Sequence, residues 1–228
     1  MKRYIAIDNV CAWPNLTPLE NGEITATIFN QPCHGKWEGD VECWASSNGG
    51  ETWQHRGTPA PHEPETNRMN VAAGRTGNGD LLVLASGWSN KPVQEKVKDM
   101  PFRSEILNPW ICRSEDNGTT WKQVGEISFQ DTSAVIPFGD IVAGVDGNLH
   151  AAAYTHPECN VLFMTSCDDG NTWTAYTPLV SDGRHNETDI LHLGEGKWLA
   201  ASRAADERNL DLLVSDDDGA TWRFERIL

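Results

Sequence analysis

The stretch Asn30 to Asp40, NQPCHGKWEGD, carries His34, Trp37, Glu38 and Asp40 within one loop-like segment. An imidazole titrates near neutrality without help, and a neighbouring carboxyl can share acid or base work with it. An indole beside such groups can stack on a sugar ring, so the chemistry suggested is that of carbohydrate recognition or cleavage. An exposed tryptophan with two solvated carboxylates would read the same way. Three more histidines, His62, His156 and His185, fall in the polar segments GTPAPHEPETNR, THPECN and SDGRHNE. None of the seven histidines forms an HxH or HxxxH pair, so no metal centre is expected and no cofactor is implied. The six cysteines, at 11, 33, 43, 112, 159 and 167, lack CxxC spacing. They read as small buried hydrophobes, neither a disulfide framework nor a zinc knuckle.

Charge narrows the partners. The chain has 228 residues and a net charge of −15, which repels nucleic acid and anionic membrane over most of the surface. It has no apolar run long enough to cross a bilayer. Its first residues, MKRYIAIDNV, lack the apolar core of a secretion signal, so the expectation is a cytosolic protein, or a mature or partial one, with the compartment left open.

The elements that position these residues are announced by an octapeptide written four times: SSNGGETW from Ser46, SEDNGTTW from Ser114, SCDDGNTW from Ser166 and SDDDGATW from Ser215. The shared pattern is S-x-[DN]-x-G-x-T-W. The Asp or Asn can fold its side chain back onto nearby N–H groups, and the Gly supplies a positive φ. Thr and Trp then begin a strand, with an indole large enough to seal the space between neighbouring sheets. The serines recur at intervals of roughly 50 to 70 residues, the length of a four-stranded propeller blade. In the third interval Asp140 to Val145 reads as an inner strand, Asp146-Gly147-Asn148 as a tight turn, Leu149 to Tyr154 and Val161 to Thr165 as the next strands, and Thr174 onward as the fourth. The pattern predicts one all-β propeller domain of four-stranded antiparallel blades, approximately 10–57, 66–127, 136–180 and 186–228. Residues 1–9 are expected to hold a strand over Tyr4 to Asp8 that could close the array. The charged stretch Val93 to Asp99 is the one candidate for a short helix.

Strand parity then separates two faces. The first-to-second and third-to-fourth turns of an antiparallel blade share one end, so the octapeptides lie with the short Gly-containing turns. The longer second-to-third connections and the blade crossovers emerge at the other end, where ligands are expected. His34, His62, His156 and His185 all belong there, as do the insertion Trp88 to Pro109, a candidate lid, and the segment Arg203 to Arg208. Arg68 and Asn70 open the second inner strand, and both are expected to point at the central pocket.

The octapeptides resemble the Asp-boxes, or BNR repeats, of the sialidase (neuraminidase) superfamily, whose propellers have six blades; about four are present here. Asn186-Glu187-Thr188 followed by Arg203 in KWLAASR is similar to that family's Glu and second Arg. The resemblance implies a glycoside hydrolase acting on a terminal sugar, sialic acid or another. Glu187 would be general base or activator, His34 or Asp40 the proton donor, and Arg203 and Arg68 oxygen-binding cations. Asn70, Trp37 and His185 would complete the sugar site. The chain departs from the family where Ala12-Trp13-Pro14 stands in place of its Arg-Ile-Pro motif. It also ends at Leu228 before the family's third Arg and Tyr nucleophile could appear, and Tyr154 lies in a different blade. These departures suggest part of a longer propeller or another mode of closure. They leave open a non-catalytic propeller binding a glycan or protein, and a polysaccharide lyase using a histidine base on a uronate.

Overall fold

A computed structural model describes residues 3–35, 38–90, 105–204 and 209–228. These form sixteen strands in four blades: β1 to β4 (Cys11–Pro18, Ile24–Phe29, Val41–Ser46, Gln54–Ala60), β5 to β8 (Thr66–Arg75, Leu81–Ser89, Glu105–Ser114, Lys122–Glu126), β9 to β12 (Val135–Ala143, Leu149–Thr155, Val161–Ser166, Ala175–Val180) and β13 to β16 (His185–Gly194, Lys197–Ala204, Leu210–Ser215, Arg223–Ile227). Each blade is an antiparallel meander with its first strand innermost. The described residues contain no helix, so none is long and apolar enough to cross a membrane.

Every octapeptide closes the hairpin between a blade's third and fourth strands by the same contacts, except that in the first copy Asn48 Nδ2 donates to the Thr52 hydroxyl at 2.9 Å instead of accepting from it. In the fourth copy Ser215 Oγ donates to Asp217 Oδ1 at 2.9 Å and accepts from the Gly219 N–H at 3.0 Å. The Thr221 N–H and hydroxyl donate to the Asp217 carboxylate at 2.8 and 2.6 Å. Backbone N–H groups that would otherwise lack partners are thus satisfied by one short acidic side chain. In the second copy this arrangement, led by the Thr120 backbone N–H, holds the Asp116 carboxyl down at about 2. Two consecutive residues, not one, take left-handed φ: Asn117 at 58° before Gly118 at 93°, and Asp218 at 57° before Gly219 at 81°. That explains why the fourth position is Gly, Asn or Asp in all copies, the residue types that tolerate this region.

The tryptophans that end the second, third and fourth hairpins pack between blades. Trp121 joins Val41, Ala60, Val71 and Val83 between the first two blades; Trp173 joins Leu82, Leu149 and Met164 between the second and third; Trp222 joins Phe163 and Leu213 between the third and fourth. Burial of an indole of this kind stabilises by about 2–3 kcal/mol. Polar contacts seat the same hairpins on the preceding blade. Arg56 Nη1 donates to the Asn117 carbonyl at 3.1 Å, and Asn78 Nδ2 donates to Asp169 Oδ2 at 2.8 Å. Thr177 Oγ1 donates to the Gly219 carbonyl at 2.9 Å.

At the axis the inner strands approach closely enough to pair. β5 and β9 run parallel, Ala72 opposite Gly139 and Gly74 opposite Ile141, which merges two blades into one eight-stranded sheet. A Cβ on Gly74 would stand 2.4 Å from the Ile141 carbonyl oxygen, so only glycine permits this approach.

Several expectations are corrected. Residues 3–10 form no strand; Tyr4 instead donates its hydroxyl to the Gly50 carbonyl in the first hairpin. The third inner strand spans Val135–Ala143, starting earlier than Asp140 because β10 continues its pairing back to Val135. Of the cysteines, Cys43 and Cys112 are buried, whereas Cys33 and Cys167 lie exposed in connections. The helix expected over 93–99 lies outside the described residues.

Candidate functional site

All four blades send residues to one cavity of about 420 Å³ at the end of the axis away from the octapeptides. The fourth blade supplies its charged pair. In β13, His185 pairs with Ala204 but Thr188 pairs with Ser202, so Asn186 and Glu187 together oppose Arg203. A bulge of this form re-aims side chains, and it turns Glu187 toward the cavity. Thr188 pins it, donating to the Asn186 carbonyl at 2.7 Å and sharing a 2.7 Å hydrogen bond with the Ser202 hydroxyl. Glu187 Oε2 accepts from Arg203 Nη1 at 2.8 Å, a charge-assisted contact that fixes the carboxylate's orientation.

The other blades supply rings and amides. Trp13 occupies a register shift between Cys11 and Asn15 of β1 at a φ of 36°, outside the ordinary range for a residue with a side chain. Its indole meets His34, from the β2–β3 connection, edge-on with centroids 4.8 Å apart. In the second blade Trp88, at the end of β6, donates its indole N–H to Asn70 Oδ1 at 3.3 Å and meets His156 edge-on at 5.5 Å. Tyr154, His156 and Cys159, at the β10–β11 connection, complete the lining. The site thus holds an ion pair, two imidazoles, two amides and three aromatic rings.

Four residues anticipated from sequence, Glu187, Arg203, His34 and Asn70, meet in this cavity. Others are placed elsewhere. Arg68 is buried, its guanidinium 3.7 Å over the Trp110 ring and donating to the Asn108 carbonyl at 2.8 Å; burial pushes it down to about 10. A register shift between Arg68 and Asn70 breaks the parity that would have sent both inward. Asp40 is engaged by His62, through the His62 backbone N–H at 2.7 Å and Nδ1 at 2.6 Å. Buried His185 bridges Asp182 at 2.9 Å and Asp211 at 3.0 Å. Trp37 lies outside the described residues, as does most of the 88–109 insertion. Trp13, Trp88 and Asn186 were not anticipated as site residues, although their positions at inner-strand starts and second-strand ends are the ones parity assigns to this face.

Two further cavities lie apart from this one. One of about 340 Å³ is lined by β1, β5 and β9 farther along the axis and includes Asp140. Asp140 is open to solvent but crowded by the inner strands and beside Asp189, whose Oδ1 accepts the Asp140 N–H at 2.9 Å. Desolvation first, and the Asp189 charge second, push its carboxyl up to about 6. The other, about 310 Å³, lies on the rim of the third blade between Asp131, Glu158 and Tyr176. Among the described residues, no group of three or more His, Cys, Asp or Glu side chains is arranged to hold a metal ion.

Comparison with solved structures identifies the architecture. A protein of unknown function from Dyadobacter fermentans is similar with a TM-score of 0.76 at 19% identity, over 97% of this chain and 70% of that one. A Hadza microbial sialidase gives 0.74 at 18% identity, over 93% of this chain and 45% of that one. The NanB sialidase of Streptococcus pneumoniae gives 0.74 at 12%, over 95% and 52%. The fold is that of a sialidase-like β-propeller, and the chain spans about half the length of these two sialidases. No protein-family model matches the sequence, and no curated protein matches it.

Proposed function

We propose that this sialidase-like domain is a glycoside hydrolase acting on a terminal sugar of a glycan, and that its octapeptides are Asp-boxes. The observation that carries the proposal is the convergence of His34 from the first blade, Asn70 from the second and Glu187 and Arg203 from the fourth on one cavity. Hydrolysis needs one group to protonate the departing glycosidic oxygen and another to activate the attacking oxygen. His34 is the donor in this reading, exposed at the rim where a leaving group would depart. Glu187 is the base or activator, oriented by Arg203, and Asn70 holds a sugar hydroxyl. Asp40 and Arg68 take no part, since His62 and Trp110 already engage them.

A panel of aryl glycosides tests the reading. Any activity found should fall on the order of 10²-fold or more in Glu187→Gln, the usual contribution of a positioned acid or base. Unchanged activity would remove Glu187 from the mechanism. A second reading, a non-catalytic glycan-binding propeller, is favoured by the 2.8 Å contact that already commits the Glu187 carboxylate to Arg203. Saturable glycan binding without product would select it.

A further inference from the structure

We infer that the central cavity selects an uncharged pyranose and discriminates against carboxylated sugars, sialic acid included. The inference rests on the cavity being the glycan site, but not on catalysis there.

A sugar carboxylate entering a recess sheds water, and that cost is offset only by cations able to pair with it. Among the described residues lining the cavity the guanidinium is that of Arg203, and Glu187 already meets it at 2.8 Å. The pair's formal charge is zero. Arg68, the other arginine anticipated here, lies buried beneath Trp110 and does not reach the cavity. The surrounding field also disfavours anions, since the chain carries −15.

The walls are instead suited to C–H faces and hydroxyls. Trp13 with His34, and Trp88 with His156, form two indole–imidazole pairs at interplanar angles of 87° and 79°. The four residues come from the first three blades. Trp13, half-buried, can offer apolar surface to a pyranose and the exposed His34 imidazole can reach neutral hydroxyls, while Trp88 and Asn70, 6% and 2% exposed, present only a small part of their surface to the cavity. Trp13 keeps a left-handed backbone to hold this position. Strain retained by a residue with a large side chain is characteristic of a site in which that side chain has work to do.

Titration calorimetry at pH 7.5 with the methyl glycosides of glucose, galactose, mannose, glucuronic acid and N-acetylneuraminic acid provides the test. At least one neutral glycoside should bind with a Kd about tenfold or more below that of either acid, a difference of about 1.4 kcal/mol. An acid binding as tightly as the best neutral sugar, or no binding by any neutral sugar, overturns the inference. Trp13→Arg, first checked for an unchanged thermal transition, should raise N-acetylneuraminic acid affinity by about tenfold. If that variant does not fold, His34→Ala, altered at an exposed loop, should weaken the neutral sugar by about threefold or more. No weakening would contradict the assigned wall. Product analysis is separate: a neutral glycoside bound but never cleaved ends the hydrolase proposal and leaves this inference intact, whereas cleavage of sialosides in preference to neutral glycosides does the reverse.

Discussion

Replacing Gly219 by alanine tests how the blades are held in register. Gly219 sits at φ 81°, and a Cβ there would stand 2.3 Å from the Phe163 ring of the preceding blade. Two costs add. An L-residue in left-handed conformation loses about 1–2 kcal/mol, and forcing a methyl into a packed seam loses about 1–3 kcal/mol. The sum, about 2–5 kcal/mol, is a large part of the 5–15 kcal/mol that typically separates folded from unfolded chains. Gly147→Ala separates the terms, because Gly147 has φ 78° with nothing within 4 Å of its Cβ position. It should lose only the backbone contribution. Urea unfolding of the two variants, extrapolated to water, gives the comparison. Gly219→Ala should be the more damaged by about 1–3 kcal/mol. Equal losses would refute the claim that the fourth hairpin is seated on the third blade.

Other expectations follow from the same contacts. Asp140→Asn should stabilise the protein at pH 7.5 by about 1 kcal/mol, discounted because the carboxyl is open to solvent. The native carboxyl is raised to about 6, so native stability declines as pH rises from about 4 to 6; below that window the variant and the native protein should melt alike, and a pH-independent gain would contradict the crowding at the axis. Arg68→Ala should lower stability by about 3 kcal/mol, through an emptied site beneath Trp110 and an unmet Asn108 carbonyl. In the folded variant, calorimetry should return unchanged sugar affinity, and a tenfold loss would return Arg68 to the site.

The fold was legible because its signals are local and repeated. Four octapeptides mark four hairpins, and antiparallel alternation then assigns the opposite end to the site. That reasoning placed Glu187, Arg203, His34 and Asn70 where the cavity is. It failed for Arg68 and His185, each adjacent to a register shift in an inner strand. A side-chain period of two turns a single inserted residue into a reversal of face, and nothing in NRMN or HNET announces the insertion. Asp40, expected as a proton donor, was misplaced for another reason. Its partner, His62, stands in a separate crossover, a pairing set by how β3 and β4 bring their ends together. The left-handed fourth position of each hairpin was visible in the run of Gly, Asn and Asp there, a signal that the third and fifth positions overshadow.

The claim on which the rest depends is that sugar binds at the axis end opposite the hairpins. A crystal soaked with the tightest-binding methyl glycoside locates it directly. The account predicts a ring bounded by Trp13, Trp88 and the Glu187–Arg203 pair; a sugar held instead among the octapeptide turns, or in the rim cavity beside Tyr176, would contradict it.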